Sequence, residues 1–317
     1  MRESVLILGG AGYIGQYLIE DLLKTQDFNI YIVDNFSTNT KFKRESIKKL
    51  NKHSGCEIFE VNVSKVNEYS KIIPSISYIY YLASHNSVSE AKTSPAKYIK
   101  QNILNLQLFL DGLVKFKTSN LKKLVLTSSR AVYGDAKNMY IKENSNLIPI
   151  SIYGWSKLMQ EVLLQNFCST YDLSLDIYRI FNVYGRNQEK FYYDIGVVPM
   201  LFDQIVSKQC VTLLGNGKIN RDYISIDNII SALVSSLDYS DSPRVEIYNL
   251  CTSVPISLNQ IVESFQDIGY KFQINYKAET QGDTLTSVGN NKKLIQKIGK
   301  ENLEDSILDF IHNYYRP

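Results

Sequence analysis

Val5-Leu6-Ile7-Leu8-Gly9-Gly10-Ala11-Gly12-Tyr13-Ile14-Gly15 decides the fold. Val5 to Leu8 is an apolar run of strand length, and glycines follow at once. From Tyr13 to about Leu23 apolar residues recur at helical spacing, with Ile14, Leu18, Leu22 and Leu23 on one face. A second strand, Asn29 to Val33, ends at Asp34. Strand, glycine turn, helix, strand and terminal acid make up a dinucleotide-binding unit. Gly9 turns the chain tightly off the strand, Gly12 lets backbone N–H groups approach a pyrophosphate, and Gly15 lets the helix pack on the sheet. Asp34 follows about 20 residues on, where a carboxylate accepts both ribose hydroxyls and repels a 2′-phosphate. NAD is therefore expected over NADP.

The alternation continues outward from this unit. Cys56 to Val63 reads as a strand with Asn62 at its end, and Ile76 to Ala83 as another closing on Leu82-Ala83-Ser84. Pro95, well placed in a first turn, opens a long helix to about Phe116. Leu121 to Thr127 is a strand leading into Ser128-Ser129-Arg130-Ala131-Val132-Tyr133-Gly134. A helix runs from Tyr153 to about Tyr171, and Leu175 to Phe181 is the next strand. Strands alternating with helices predict an α/β fold, a doubly wound parallel sheet of Rossmann type. After Phe181 the pattern changes to a polar loop, a helix from about Val198 to Ser207, a strand and turn at Thr212 to Gly217, and a short strand at Glu246 to Leu250. This half carries no cofactor pattern, as expected of a smaller C-terminal α/β lobe that holds substrate. Residues 1–181, with a returning segment near 222–252, are assigned to the NAD-binding domain; 182–221 and 253–317 are assigned to the lobe.

Composition narrows the function further. With 317 residues the chain buries a sizeable core, and 44% hydrophobic with 21% charged residues is ordinary for a soluble globular protein. A net charge of +3 is too small to argue for nucleic acid or an anionic membrane. Four cysteines lie far apart inside apolar runs, which suits small core residues in a reducing compartment. The three histidines are scattered, so no metal site is expected. No apolar run approaches the roughly 18 residues of a membrane span, and Met1-Arg2-Glu3-Ser4 leads straight into a strand. The expected location is the cytoplasm.

The chemistry centres on Tyr153-Gly154-Trp155-Ser156-Lys157. On a helix Tyr153 and Lys157 lie on one face, one turn apart. An ammonium near a phenol favours the phenolate, so Lys157 is expected to draw Tyr153 down from about 10 toward working pH. Such a phenol serves as general acid or base on a hydroxyl or carbonyl. Beside a redox cofactor the pair becomes a candidate active site.

Together these motifs, with Asp34-Asn35, Phe181-Asn182-Val183-Tyr184-Gly185 and Arg221-Asp222-Tyr223, make the chain resemble the extended short-chain dehydrogenase/reductase family, specifically its nucleotide-sugar epimerases and dehydratases. The resemblance covers nearly the whole length. It implies NAD as cofactor, a nucleotide-sugar substrate, and catalysis by Ser129, Tyr153 and Lys157. Ser129, with Thr127 or Ser128 as substitutes, would hydrogen-bond the reacting oxygen; Tyr153 would exchange its proton; Lys157 would hold the nicotinamide ribose. The glycine turn with Tyr13 and Ile14, Asp34 with Asn35, and Asn62 with Val63 would line the adenosine half of the cofactor. Leu82, Ala83, Ser84, Asn102, Thr127 and Phe181 would line the remainder, with Asn102 supporting backbone and Tyr133 either near the nicotinamide or in the core. Asn182, Val197 and Arg221 would face the diphosphate sugar, and Thr212 and Leu214 the base; Asp283 and Ser287 complete the implied substrate set.

The departures from the pattern are informative. Dehydratases place Asp-Glu after the hydroxyl residue; here Arg130-Ala131 stands there, so 4,6-dehydration is disfavoured. Thr280-Gln281-Gly282-Asp283 replaces an Arg-x-Gly-Asp whose Arg grips the diphosphate, and Asn62 replaces an Asp that meets the adenine amino group. Asn86 stands where some epimerases carry a lysine. Ser287 aligns with a gate residue, and its small side chain implies room for a 2-N-acetyl group. Family resemblance thus implies epimerisation at C4 of a UDP- or dTDP-hexose through a 4-keto sugar. The rivals are a 4-ketoreductase or decarboxylase on the same scaffold and a non-catalytic NAD-binding scaffold protein. A homodimer is implied, packed through the helix from Pro95 and the helix from Tyr153.

Overall fold

The first strand, β1 (Glu3–Leu8), is buried from Val5 to Leu8, as apolar residues must be when both faces of a parallel strand are covered. It lies between β2 (Phe28–Val33) and β4 (Tyr78–Tyr81), with β3 (Cys56–Phe59) outside β2. Beyond β4 follow β5 (Lys123–Ser129), β6 (Ser174–Ile180) and β10 (Val245–Leu250), which completes a seven-stranded sheet. The registers are parallel from β3 through β2, β1 and β4 to β5. Chain order reverses between β1 and β4, and the crevice outside the carboxyl ends of such strands is where a ligand binds. The computed structural model describes residues 2–25, 27–37, 41–136, 140–191, 196–238, 243–278, 286–301, 303 and 306–316.

Two compact units emerge: residues 1–134, 147–179 and 230–248 form one, and 135–146, 180–229 and 249–317 the other. In the first, α1 (Tyr13–Thr25) follows β1 and α2 (Lys41–Leu50) follows β2. Next come α3 (Val88–Thr93) and a long helical run made of α4 (Pro95–Tyr98), a π-helical turn (Ile99–Leu104) and α5 (Asn105–Phe116). Helix α6 (Ile152–Thr170) precedes β6. Phe109, Leu110, Leu113, Leu164 and Phe167 from these helices pack with Leu6, Leu8, Ile79, Tyr81, Leu124 and Leu126 from the strands.

Several expected boundaries move. Strand β3 stops at Phe59 instead of continuing to Val63, because the Val61 N–H bonds Phe59 O and Asn62 folds onto Ser64. Helix α2 was not expected; its sequence is mostly charged, and only Lys43, Ile47 and Leu50 are buried.

The second unit contains β7 (Asn182–Tyr184), β9 (Asn220–Ser225), β11 (Pro255–Ser257) and β13 (Thr286–Ser287) in one small sheet. A parallel pair, β8 (Cys210–Leu214) and β12 (Gln273–Lys277), stands apart from it. Helices α7 (Val197–Lys208), α9 (Leu258–Asp267), α10 (Lys292–Ile298) and α11 (Ile307–Tyr314) accompany these strands, while α8 (Ile226–Val234) starts in this unit and ends in the first. An aromatic cluster of Phe202, Phe265, Tyr270, Phe310 and Tyr315 fills this core. Residues 135–146 belong here: Ile141 pairs with Gly289, and Asn249 Nδ2 donates to Ile141 O at 2.9 Å. Among the described residues no helix is long and apolar enough to cross a membrane.

Candidate active site

The glycine turn after β1 is shaped for a dinucleotide. Gly9 has φ +80°, and a Cβ there would lie 2.7 Å from Ala83 N, so the loop after β4 closes directly on it. Gln16 fastens the turn, donating from Nε2 to Ala11 O at 3.0 Å and to Lys43 O at 3.2 Å. At the end of β2 the buried Asp34 accepts from Ala11 N at 3.0 Å and Phe36 N at 2.8 Å. Each carboxylate oxygen keeps further lone-pair capacity for a ribose hydroxyl. A 2′-phosphate would meet that carboxylate directly, so the residues fit NAD.

Other members of the expected adenosine set stand differently. Asn35 is exposed, and its side chain closes a turn on Ser37 N. Asn62 Oδ1 accepts from both Ser64 N at 2.9 Å and Ser64 Oγ at 2.8 Å. Those two bonds use both lone pairs of the oxygen that was expected to meet the adenine amino group. Phe36 and Lys43 were not singled out from the sequence. Phe36 adopts φ 50° with Arg44 stacked 4.5 Å from its ring, and Lys43 is buried near Asp34. A sharp turn after the strand-terminal acid is the local signal for Phe36; no pattern marks Lys43.

Catalytic candidates come together at the carboxyl end of β5 and the start of α6. Ser129 ends β5, and its Oγ accepts from Ala131 N at 3.2 Å, capping the 3₁₀ turn Arg130–Tyr133. Ser151 caps α6 by accepting from Gly154 N at 3.0 Å, a preferred residue in that role. A Cβ on Gly154 would stand 2.6 Å from Ala131 O, so glycine lets α6 press against this turn. Tyr153 is thereby delivered beside the Ser129 hydroxyl. Burial pushes the Tyr153 phenol above its ordinary value; the Ser129 hydroxyl and the Arg130 guanidinium draw it partly back.

Lys157 behaves differently from expectation. It is 3% exposed, its Nζ donates to Ser84 Oγ at 3.0 Å, and burial brings its ammonium down to about 7, with the Glu161 carboxylate acting the other way. The Arg130 guanidinium draws the Tyr153 phenol downward. From Ser84 a chain of bonds continues: Ser84 Oγ to Gln160 Oε1 at 3.1 Å, then Gln160 Nε2 to Asn102 O at 2.8 Å. Asn102 sits in the π-helical turn, where the widened ladder frees backbone groups for such partners, and π turns recur at functional sites. Its side chain accepts from His85 N at 2.8 Å and donates to His85 O at 3.0 Å and Ser156 Oγ at 2.9 Å, supporting the loop after β4. Thr127 is buried within β5. Tyr133 is buried as well, its hydroxyl accepting from Arg179 Nη1 at 2.9 Å.

In the second unit Phe181 is buried and donates its N–H to Leu250 O at 3.0 Å. Asn182 Nδ2 donates to Asp222 O at 2.7 Å. Arg221 is half-buried on β9, with Nη1 donating to Asn220 O at 3.0 Å. Asp222 is a structural clamp: its carboxylate accepts from Thr252, Ser253 and Gly289, and burial holds it up at about 6. Thr212 N donates to Gln204 Oε1 at 3.0 Å, Leu214 is exposed, and Val197 opens α7. Ser287 is 0% exposed and opposite Arg221 in the β13–β9 register, so no open space for an N-acetyl group is read from it. Asp283 and Thr280 lie outside the described residues.

The chain thus combines a Rossmann-like parallel sheet, a glycine turn after β1, a buried acid after β2, and Ser129, Tyr153 and Lys157 at the junction of β5 and α6. The chain belongs to the NAD dependent epimerase/dehydratase family, whose model matches residues 5–251. Its structure is similar to that of a UDP-N-acetylglucosamine 4-epimerase from Methanobrevibacter ruminantium, with 27% identity, TM-score 0.86, and 98% of this chain and 97% of that one covered. A UDP-glucose 4-epimerase from Thermotoga maritima is comparably similar, at 26% identity, TM-score 0.85, and 99% and 98% coverage. In sequence, a putative UDP-glucose 4-epimerase from Methanocaldococcus jannaschii is 24% identical over 282 residues, 88% of this chain and 87% of that protein.

Proposed function

We propose that the protein is an NAD-dependent 4-epimerase of nucleotide-diphosphate hexoses, with UDP favoured over dTDP because the similar enzymes named above act on UDP sugars. The observation that carries this reading is Tyr153 set beside Ser129 at the start of α6, with buried Lys157 on the same helical face. Bound NAD would supply reversible hydride transfer at sugar C4. Tyr153 removes the proton of the C4 hydroxyl as the carbonyl forms and restores it after the sugar has turned. Ser129 donates to the same oxygen, and Lys157 holds the ribose side of the cofactor. Arg130 and Ala131 stand where dehydration needs two carboxyl groups, which disfavours 4,6-dehydration. Arg221 and Asn182 are assigned to the diphosphate, Arg through paired phosphate contacts. The assembly is assigned as a homodimer in the cytoplasm, built on an apolar strip exposed on the long helix and α6.

The test is turnover of a panel of UDP-, dTDP-, GDP- and CDP-hexoses followed by NMR, with no cofactor added to protein that purifies with bound NAD. Appearance of the C4 epimer is expected, and Tyr153→Phe should abolish it while NAD stays bound. A requirement for added reduced cofactor, consumed once per sugar, would overturn epimerisation in favour of reduction.

A further inference from the structure

Glu161 is fully buried on α6, one turn beyond Lys157 and two beyond Tyr153, on the same face. Arg179 on β6 grips it with three bonds: Nε to Oε1 at 3.0 Å, Nε to Oε2 at 3.3 Å and Nη2 to Oε2 at 2.7 Å. The Ser128 hydroxyl also donates to Glu161 Oε1. Arg179 in turn lies over the Tyr133 ring, 4.9 Å from its centroid, and bonds the Tyr133 hydroxyl. One carboxylate thus joins β5 at the residue before Ser129, the strand beside it, and the helix bearing Tyr153 and Lys157. A buried ion pair is a poor way to gain stability, since well-packed apolar residues commonly do as well or better. What it does supply here is register and a negative charge beneath the site.

We propose that Glu161 is a positioning residue: clamped by Arg179 and Ser128, it holds Ser129 and Tyr153 in line and keeps Lys157 protonated. The proposal rests on the epimerase reading only for its kinetic assay. Burial alone works against an ammonium at position 157, and Glu161 is the charged group opposing that effect. Of the other charged groups on the elements packed here, Lys123 and Asp176 pair with each other at 3.4 Å near the starts of β5 and β6. Arg130 acts on Tyr153, Tyr133 and Arg179 belong to the Glu161 clamp, and Glu90 pairs with Lys97 and His85 near α3 and α4.

The experiment compares wild type with Glu161→Gln and Ser128→Ala as full-length proteins. The Lys157 Cε is followed by NMR through a pH titration, with Lys157→Arg assigning the signal. Glu161→Gln is expected to lower the Lys157 midpoint by roughly one unit, the low end for losing a nearby opposite charge. It should also reduce kcat at least tenfold with KM changed less than threefold, the alkaline side of the kcat profile moving with the midpoint. Ser128→Ala, which removes no charge, should lower kcat severalfold and leave the midpoint in place. Should Glu161→Gln fail to fold, Glu161→Asp keeps the charge partner of Arg179 while withdrawing the carboxylate, and the same shift is expected in smaller degree. An unmoved midpoint in the folded Glu161 variant, or kcat equal to wild type in both variants, overturns the proposal. Wild type that turns over no sugar would instead remove the epimerase reading, and the Lys157 titration would still be readable.

Discussion

At position 157 the protein keeps an ammonium where water is nearly absent. Burial brings that group to about 7, against about 10.4 in an unfolded chain. Between those values the unfolded chain holds a proton that the folded one has shed, so stability rises with pH across the window. Below 7 both states are protonated and the desolvation cost is carried in full. Lys157→Met is therefore expected to stabilise the NAD-free protein by about 2–4 kcal/mol at pH 6, to flatten the rise toward pH 10, and to abolish turnover. Urea unfolding of both proteins across that range measures it, and parallel pH dependences would contradict the assignment. Spacing put Tyr153 and Lys157 on one helical face, and the glycine turn made the pair a candidate site. What spacing concealed was the direction of influence, because burial is a tertiary property and Arg130 reaches the phenol only once the turn after β5 is folded. Glu161 sits at the next helical step and was visible in principle, but a glutamate on a helix ordinarily faces water.

Among the elements, α6 shows how one backbone contact sets the geometry of the site. Gly154 costs the helix about 1 kcal/mol relative to alanine, and its use in the first turn is explained by the 2.6 Å that a Cβ would leave to Ala131 O. Gly154→Ala is expected to lose that propensity gain to a clash of about 1–3 kcal/mol and to shift Tyr153 away from Ser129. The checks are a melting temperature no higher than wild type and a kcat reduced at least tenfold, since small misplacement of an acid–base group is costly. A variant that is more stable and fully active would show that the turn yields freely. The strands of the first unit, with α1, α5 and α6, were readable from periodicity and glycine placement. The π-helical turn at Ile99–Leu104 was not, because Lys100, Gln101 and Asn102 read as an ordinary polar stretch of helix, and the Asn102 bonds to His85 and Ser156 exist only in the folded protein. Helix α2 was missed for the opposite reason, since its charges hide the few buried residues that anchor it.

For the whole molecule, the same helix that carries the chemistry also carries an apolar outer face. Ile152, Trp155, Met159 and Val162 are exposed on α6, with Trp155 at 52%, while Tyr153, Lys157 and Glu161 face inward. Leu104 and Leu108 are exposed on the long helix of the same unit. Apolar residues spaced along two neighbouring helices are what a second copy covers when two helices per chain join in a four-helix bundle. Because such an interface is isologous, one substitution places two charges in it at once. Met159→Glu and Leu108→Glu are each expected to convert a particle of about twice 36.3 kDa into one of single-chain mass by light scattering. Bound NAD should be retained in both variants, because neither side chain faces the Ser129–Tyr153–Lys157 set. A wild-type protein that is already monomeric at micromolar concentration removes the dimer. A dimer that survives both charges moves the interface to another surface and leaves the apolar strip for a different partner.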